Sequence, residues 1–97
     1  MKARAFGSGA RLVGAKLSGA DLREAQMGPL LLGEDRVLPC NLTGAVLKGA
    51  DLSMADLRQA MLVEADVSRA NFTGALLRQV NATNALRVGA RGLEDVI

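Results

Sequence analysis

The sequence contains no histidine, tryptophan or tyrosine, and only one cysteine and two phenylalanines among its 97 residues. A single cysteine cannot form a disulfide within the chain, so a disulfide framework is excluded. Metal sites built from histidine or cysteine, and nucleophiles activated by histidine, are excluded as well. The chain is instead rich in alanine, leucine and glycine, with 49% hydrophobic residues and a formal net charge of +2. We expect no catalytic residues, no metal and no cofactor.

The hydrophobicity pattern shows neither a leader peptide nor a membrane span. After the basic start, Gly7, Gly9 and Arg11 interrupt the apolar run of about 7–15 residues that a signal peptide needs. No apolar stretch approaches the roughly 20 residues of a membrane-spanning helix. We therefore expect a cytoplasmic protein without membrane association, and a free Cys40 thiol suits a reducing compartment.

A spacing of five residues runs through most of the chain. Alanine occupies thirteen of the seventeen positions at multiples of five from 10 to 90. Two residues after each of these positions lies a second apolar residue, most often leucine, and the residue between the two is often Asp or Asn. An α-helix would rotate such a column by about 140° at each step, and a strand would reverse its face. Both apolar positions can therefore point inward only if the chain bends once in every unit.

A solenoid satisfies this pattern if each unit forms one side of a coil and the coils stack at about 4.8 Å. Units 20–24 (ADLRE), 50–54 (ADLSM), 55–59 (ADLRQ) and 70–74 (ANFTG) resemble the A-(D/N)-L-x-x pattern of the pentapeptide-repeat proteins. The resemblance covers roughly residues 10–89. It implies an all-β fold, a right-handed quadrilateral parallel β-helix of about four coils with a C-terminal cap.

A single domain, residues 1–97, is expected, and the segment 28–39 departs from its pattern. The two units in this segment lack the alanine, and Pro29 and Pro39 bracket them. The segment is either a degenerate side of the coil, since the register of five continues across it, or a loop that bulges from the solenoid. We favour a loop or a distorted side, because Asp35 would otherwise point into the core without a partner.

The C-terminal end also departs from the pattern. Arg87 and Gly92 occupy inward positions, which predicts that the regular coil stops near Leu86. Residues 88–97 would then form a cap, with a short helix from Leu93 onward. An open solenoid end leaves unpaired edge strands and needs a cap or a partner.

Apolar residues at positions that should face solvent or the cap concentrate in the C-terminal third of the chain. We therefore predict a homodimer through the C-terminal end. The candidate self-association surface consists of Leu76, Leu86, Val88, Leu93, Val96 and Ile97.

Three other features have simple interpretations. The Asp/Asn column is interpreted as a turn position whose side chains satisfy backbone amides. Cys40 stands in the alanine column, which predicts a small buried apolar residue. If residues twenty apart share a face, a shallow basic stripe results from Lys16, Arg36, Arg58 and Arg78.

The composition favours a non-enzymatic structural or protein-interaction module whose protein partner is unknown. The resemblance implies an alternative, because some pentapeptide-repeat proteins mimic B-form DNA, bind DNA gyrase and give quinolone resistance. Mimicry of DNA demands a strongly acidic surface, so a net charge of +2 on a short rod disfavours this function. Direct nucleic-acid binding is also disfavoured, because the charge excess is small and aromatic residues for base stacking are nearly absent.

Overall fold

The computed structural model describes residues 9–93, and outside the segment 28–39 each five-residue unit forms one short side that ends in a β-turn. In the turn after Leu12, the Ala15 N–H donates to the Leu12 carbonyl at 3.0 Å. Gly14, the third residue of that turn, has a φ of 68°, whereas the residue before it does not have a positive φ. A closing hydrogen bond with a positive φ only at the third residue defines a type II turn. The predicted bend is therefore a type II turn, repeated along the chain.

Parallel bridges stack the sides into four ladders, which we call faces 1 to 4. Face 1 carries Arg11, Asn41, Met61 and Asn81; face 2 carries Lys16, Val46, Asp66 and Leu86; face 3 carries Asp21, Asp51, Asn71 and Arg91; face 4 carries Gln26, Asp56 and Leu76. In each bridge, the residue on the later coil uses both of its backbone groups. The Asp51 N–H donates to the Ala20 carbonyl at 3.0 Å, and the Leu22 N–H donates to the Asp51 carbonyl at 2.8 Å.

The two apolar columns meet along the axis of this coil. The side chains of Leu22, Leu42, Leu52 and Leu62 are fully buried, and the alanines beside them are buried as well. Among residues 9–93 no polar or charged side chain is buried. Burying one such leucine stabilises the fold by about 1.5–3 kcal/mol, so the core is a stack of similar contributions. The burial fades at the two ends, where Leu12 and Leu77 are only partly buried.

The segment 28–39 leaves the coil as a β-hairpin. Strand β1 (Leu30–Gly33) pairs antiparallel with β2 (Arg36–Leu38), and every residue of both strands is exposed. At the base of the hairpin, the Gly9 N–H donates to the Gly28 carbonyl at 3.1 Å. The structure therefore has the loop and not the degenerate side, and Asp35 lies exposed at the turn.

The coil continues beyond Leu86, so the prediction that it stops there is wrong. Arg91 forms a parallel bridge with Asn71, and the Phe72 N–H donates to the Arg91 carbonyl at 2.7 Å. Gly92 then lies against the backbone of Phe72, where an added Cβ would be 2.6 Å from the Phe72 carbonyl carbon. The helix predicted from Leu93 onward falls, apart from Leu93 itself, on residues outside the described part. Within residues 9–93, no helix has the length and apolar character needed to cross a membrane.

Candidate interaction surfaces

The residues predicted to form one self-association surface do not form one. Leu76 lies on face 4 and Leu86 on face 2, which are opposite sides of the coil. Val88 follows Leu86 at the next corner and is 80% exposed, so these two side chains share one end of face 2. Leu93 is only 5% exposed and belongs to the core, so its assignment to an exposed surface is wrong. Val96 and Ile97 lie outside the described residues.

The last coil presents a different apolar surface, which faces along the axis. Residues that point inward here are only partly buried, whereas their counterparts one coil earlier are fully buried, because within residues 9–93 no further coil covers them. We call this the coil-end surface and define it by Leu77, Val80, Ala82 and Ala90, with the exposed Val88 at its rim. Arg87 occupies an inward position within it and is exposed. A shallow depression in the same region is lined by Ala85, Arg87, Val88, Ala90 and Leu93.

The backbone of the last coil is unfinished in the same direction. One coil earlier, the Ala60 carbonyl accepts from the Asn81 N–H at 3.0 Å, and the Leu62 N–H donates to the Asn81 carbonyl at 2.7 Å. The equivalent groups of the last coil, the Val80 carbonyl and the Ala82 N–H, have no such partner among residues 9–93. The coil-end surface therefore combines apolar side chains with backbone groups that can pair with another strand.

The hairpin forms the second exposed apolar surface. Of the ten large apolar side chains that are exposed between residues 9 and 93, five lie in its two strands. We call this the hairpin surface, formed by Leu30, Leu31, Leu32, Val37 and Leu38. Leu31 is 72% exposed and the other four are 41–46% exposed, so apolar groups cover both faces of the hairpin. The signals for this surface in the sequence were the two prolines and the missing alanines.

The seven Asp and Asn residues of the polar column act as the turn residues that the sequence predicted. In each of them one side-chain oxygen accepts from the backbone N–H two residues later, at 3.0–3.2 Å. At Asp51, for example, the same oxygen also accepts from the Ser53 hydroxyl at 2.7 Å. Because these oxygens are occupied within the turns, the column is a structural feature and offers no carboxylate ladder for chemistry.

Two of these carboxylates also form ion pairs. Arg23 contacts Asp21 at 2.8 Å and Arg58 contacts Asp56 at 2.7 Å, each with a second hydrogen bond from the guanidinium. The hydrogen bonds from Arg58 lower the pKa of Asp56, against the opposing effect of its partial burial.

The basic stripe proposed from the sequence is wrong in composition. Lys16 bridges Val46 on face 2 and Arg36 lies in the hairpin, because the hairpin shifts the register by ten residues.

Cys40 is fully buried and carries a free thiol, as its position in the alanine column predicted. Burial raises the pKa of this thiol to about 11, so at neutral pH it is protonated and a poor nucleophile. Between residues 9 and 93 there is no group of three His, Cys, Asp or Glu side chains that could hold a metal ion.

Comparison with known protein families agrees with this architecture. Pentapeptide repeats match the chain in eight copies, over residues 3–27 and 40–85. The unmatched residues between these two ranges coincide with the hairpin segment 28–39. The chain belongs to the pentapeptide-repeat family, and its fold is the predicted right-handed quadrilateral parallel β-helix.

Solved structures include proteins that resemble this chain. HetL, a pentapeptide repeat protein involved in heterocyst differentiation regulation in the cyanobacterium Nostoc sp. strain PCC 7120, is 38% identical with a TM-score of 0.77. The match covers 82% of this chain and 33% of HetL, so the chain spans about a third of the length of that protein. The pentapeptide repeat protein alr5209 from Nostoc PCC 7120 is 34% identical, with a TM-score of 0.36 over 86% of this chain and 64% of its own. Comparison with curated protein sequences gives no significant match.

Proposed function

We propose that this chain is a non-enzymatic structural and protein-interaction module. The observation that carries the proposal is the hairpin surface, five exposed apolar side chains on a short projection from a coil whose central inward-pointing leucines are buried. Large contiguous apolar patches are rare on the surfaces of monomeric proteins, and where they occur they commonly mark interaction sites. The coil behind the hairpin supplies a rigid support, because its backbone groups are paired between levels.

The charge distribution supports an interaction module over a DNA mimic. Face 3 carries Asp21 and Asp51 but also Arg23 and Arg91, and face 2 carries both Lys16 and Asp66. A mimic of the duplex needs continuous negative charge along the rod, which these mixed faces do not provide. HetL, which shares this fold, is involved in heterocyst differentiation regulation, and this is consistent with a regulatory role for an interaction module. A cytoplasmic location remains the expectation from the sequence.

A second copy of the chain is the partner that we propose for the coil-end surface. Its apolar side chains and its unpaired backbone groups are of the kind that another coil covers elsewhere in this fold. Two such ends placed against each other would bury both surfaces in an isologous dimer. The proposal keeps the dimer through the C-terminal end that the sequence predicted and changes the residues that form it, since Leu76 and Leu86 lie on opposite faces.

Sedimentation velocity tests the dimer. We expect a dimer for the unchanged chain at tens of micromolar and a monomer for Val88→Lys, which places a charge on the coil-end surface. Ser68→Lys is the matched control, because Ser68 occupies the same corner one coil earlier. A monomeric unchanged chain at this concentration would show that the proposed dimer is wrong.

Capture of partners from an extract of the source cell tests the hairpin surface separately. Leu31→Lys introduces a charge at a side chain that is 72% exposed on the hairpin, and Met54→Lys does the same at one that is 65% exposed on the coil. We expect a protein that the unchanged chain and Met54→Lys retain and that Leu31→Lys loses. Equal retention by all three would exclude the hairpin surface as the site of that contact.

A further inference from the structure

The hairpin segment has the length of two sides of the coil. Below the hairpin, bridged residues such as Asn41 and Met61 are twenty residues apart, whereas Arg11 and Asn41 are thirty apart. The ten additional residues keep the register of five. The same sequence pattern is therefore compatible with two coil registers: the observed one, with Lys16 above Val46, and one that takes the segment into the coil, with Lys16 above Arg36.

Turn geometry distinguishes these two registers. Every fifth residue from Gly9 to Gly89 has a positive φ, of 58–73°, except the residues at 29, 34 and 39. Two of the three exceptions are prolines, whose ring holds φ near about −65°. Pro29 and Pro39 therefore cannot form the type II turn that ends the other sides of the coil, although glycine, glutamate and methionine all do so elsewhere.

The side chains that would point inward also oppose the second register. Asp35 would place a carboxylate on an axis where no charged side chain is buried between residues 9 and 93. An isolated ionised group there is strongly unfavourable. Leu30 would enter the column that alanine fills, and extra methylene groups in a close-packed core are destabilising. Burial of Leu32 and Val37 would favour the second register. The unfavourable effects of the two prolines, Leu30 and Asp35 together outweigh this gain.

We propose that Pro29, Leu30, Asp35 and Pro39 act as a lock that holds the hairpin outside the coil, and that the chain encodes a second coil register which the lock excludes. The hairpin surface is then exposed because these four residues keep the segment out of the coil, and not because the repeat is merely irregular there. The proposal stands on the turn geometry and on the axis of the coil, and it is independent of what binds the hairpin.

The test is an unlocked variant carrying Pro29→Gly, Leu30→Ala, Asp35→Ala and Pro39→Gly, made with Cys40→Ala to remove the native thiol. Cysteine pairs read the register, since bridged residues on adjacent strands lie about 4.8 Å apart, within the disulfide range of roughly 4.4–6.8 Å between Cα atoms. Lys16→Cys with Val46→Cys reports the observed register, and Lys16→Cys with Arg36→Cys reports the second. We expect the first pair to form in the locked chain and the second pair in the unlocked chain.

Two controls make the result decisive. Asp51→Cys with Asn71→Cys must form in both chains, because residues below the hairpin keep their spacing of twenty in either register. Restoring Pro29 and Pro39 alone should return the unlocked chain to the observed register. The proposal is overturned if the unlocked chain keeps the Lys16–Val46 pairing, or if it loses the control pair, since a segment able to form two sides would leave that stack intact.

Discussion

Leu32 and Leu52 occupy the same position in the five-residue pattern, yet one is exposed and the other is buried. Leu52 is fully buried on the axis of the coil, whereas Leu32 is 46% exposed in the hairpin. The side chain and its register are the same, so neither decides burial. What differs is the unit around each: Leu52 follows an alanine and precedes a type II turn, whereas Leu32 follows Pro29 and Leu30. The five-residue period predicts which residues can be buried, and the turn geometry of each unit determines which of them are buried.

The largest expected difference comes from shortening these two leucines. Leu52→Ala should lower the free energy of unfolding by about 2–5 kcal/mol, because it removes contacts on the axis and leaves a cavity. Leu32→Ala should lower it by less than about 1 kcal/mol, because nearly half of the side chain already contacts water. Urea unfolding measures both, and equal losses would contradict the assignment of the coil and the hairpin.

Substitution of a glycine by alanine should also destabilise the coil more than the hairpin, although by less than the leucine substitutions do. Gly92→Ala places a Cβ 2.6 Å from the Phe72 carbonyl carbon and 2.8 Å from its oxygen, at a φ of 88°. We expect a loss above the roughly 1–2 kcal/mol that a left-handed conformation alone costs. Gly33→Ala in the hairpin meets nothing within 4 Å and should be close to neutral. Similar melting temperatures for the two variants would contradict the close approach of Gly92 to the coil above it.

Excision of the hairpin tests whether the coil depends on it. Deletion of residues 30–39 with Pro29→Gly restores a spacing of twenty throughout, with a residue at 29 that can adopt a positive φ. We expect a folded protein whose stability changes by no more than about 1 kcal/mol, because loop length has a weak entropic effect. Deletion of residues 45–54, also two units long, removes buried residues from the core and should lower the melting temperature clearly. An unfolded hairpin deletion would show that the hairpin supports the coil.

The smallest expected effect is a dependence on pH. The pKa of Asp56 is lower in the folded chain than in the unfolded chain, so the ion pair with Arg58 stabilises the fold above the unfolded pKa of about 3.9. This contribution is lost as the pH falls through the folded pKa. Denaturant unfolding between pH 6 and pH 3 should therefore show a smaller decrease for Asp56→Asn than for the unchanged chain. A hairpin variant such as Leu31→Ala should show the same decrease in stability between pH 6 and pH 3 as the unchanged chain.

Much of the coil was predictable from the sequence. The alternation of alanine and leucine columns identified the inward residues, and Asp51 and its counterparts were identified as turn residues before any geometry was known. The outcome at Leu86 and Leu93 was not predictable in this way. Arg87 and Gly92 break the apolar column, yet the backbone continues to Arg91, because main-chain hydrogen bonds between coils do not depend on the side chain that points inward.

The amino-acid pattern was enough to define the unit of this protein: one turn in every five residues, two inward columns and, in seven units, an Asp or Asn that caps the turn. The assignment of the units to the four faces became visible only in the folded coil. A shift by whole units leaves the five-residue pattern unchanged, so the pattern could not tell that ten residues project as a hairpin. For the same reason it could not tell that Leu76 and Leu86 lie on opposite sides of the coil.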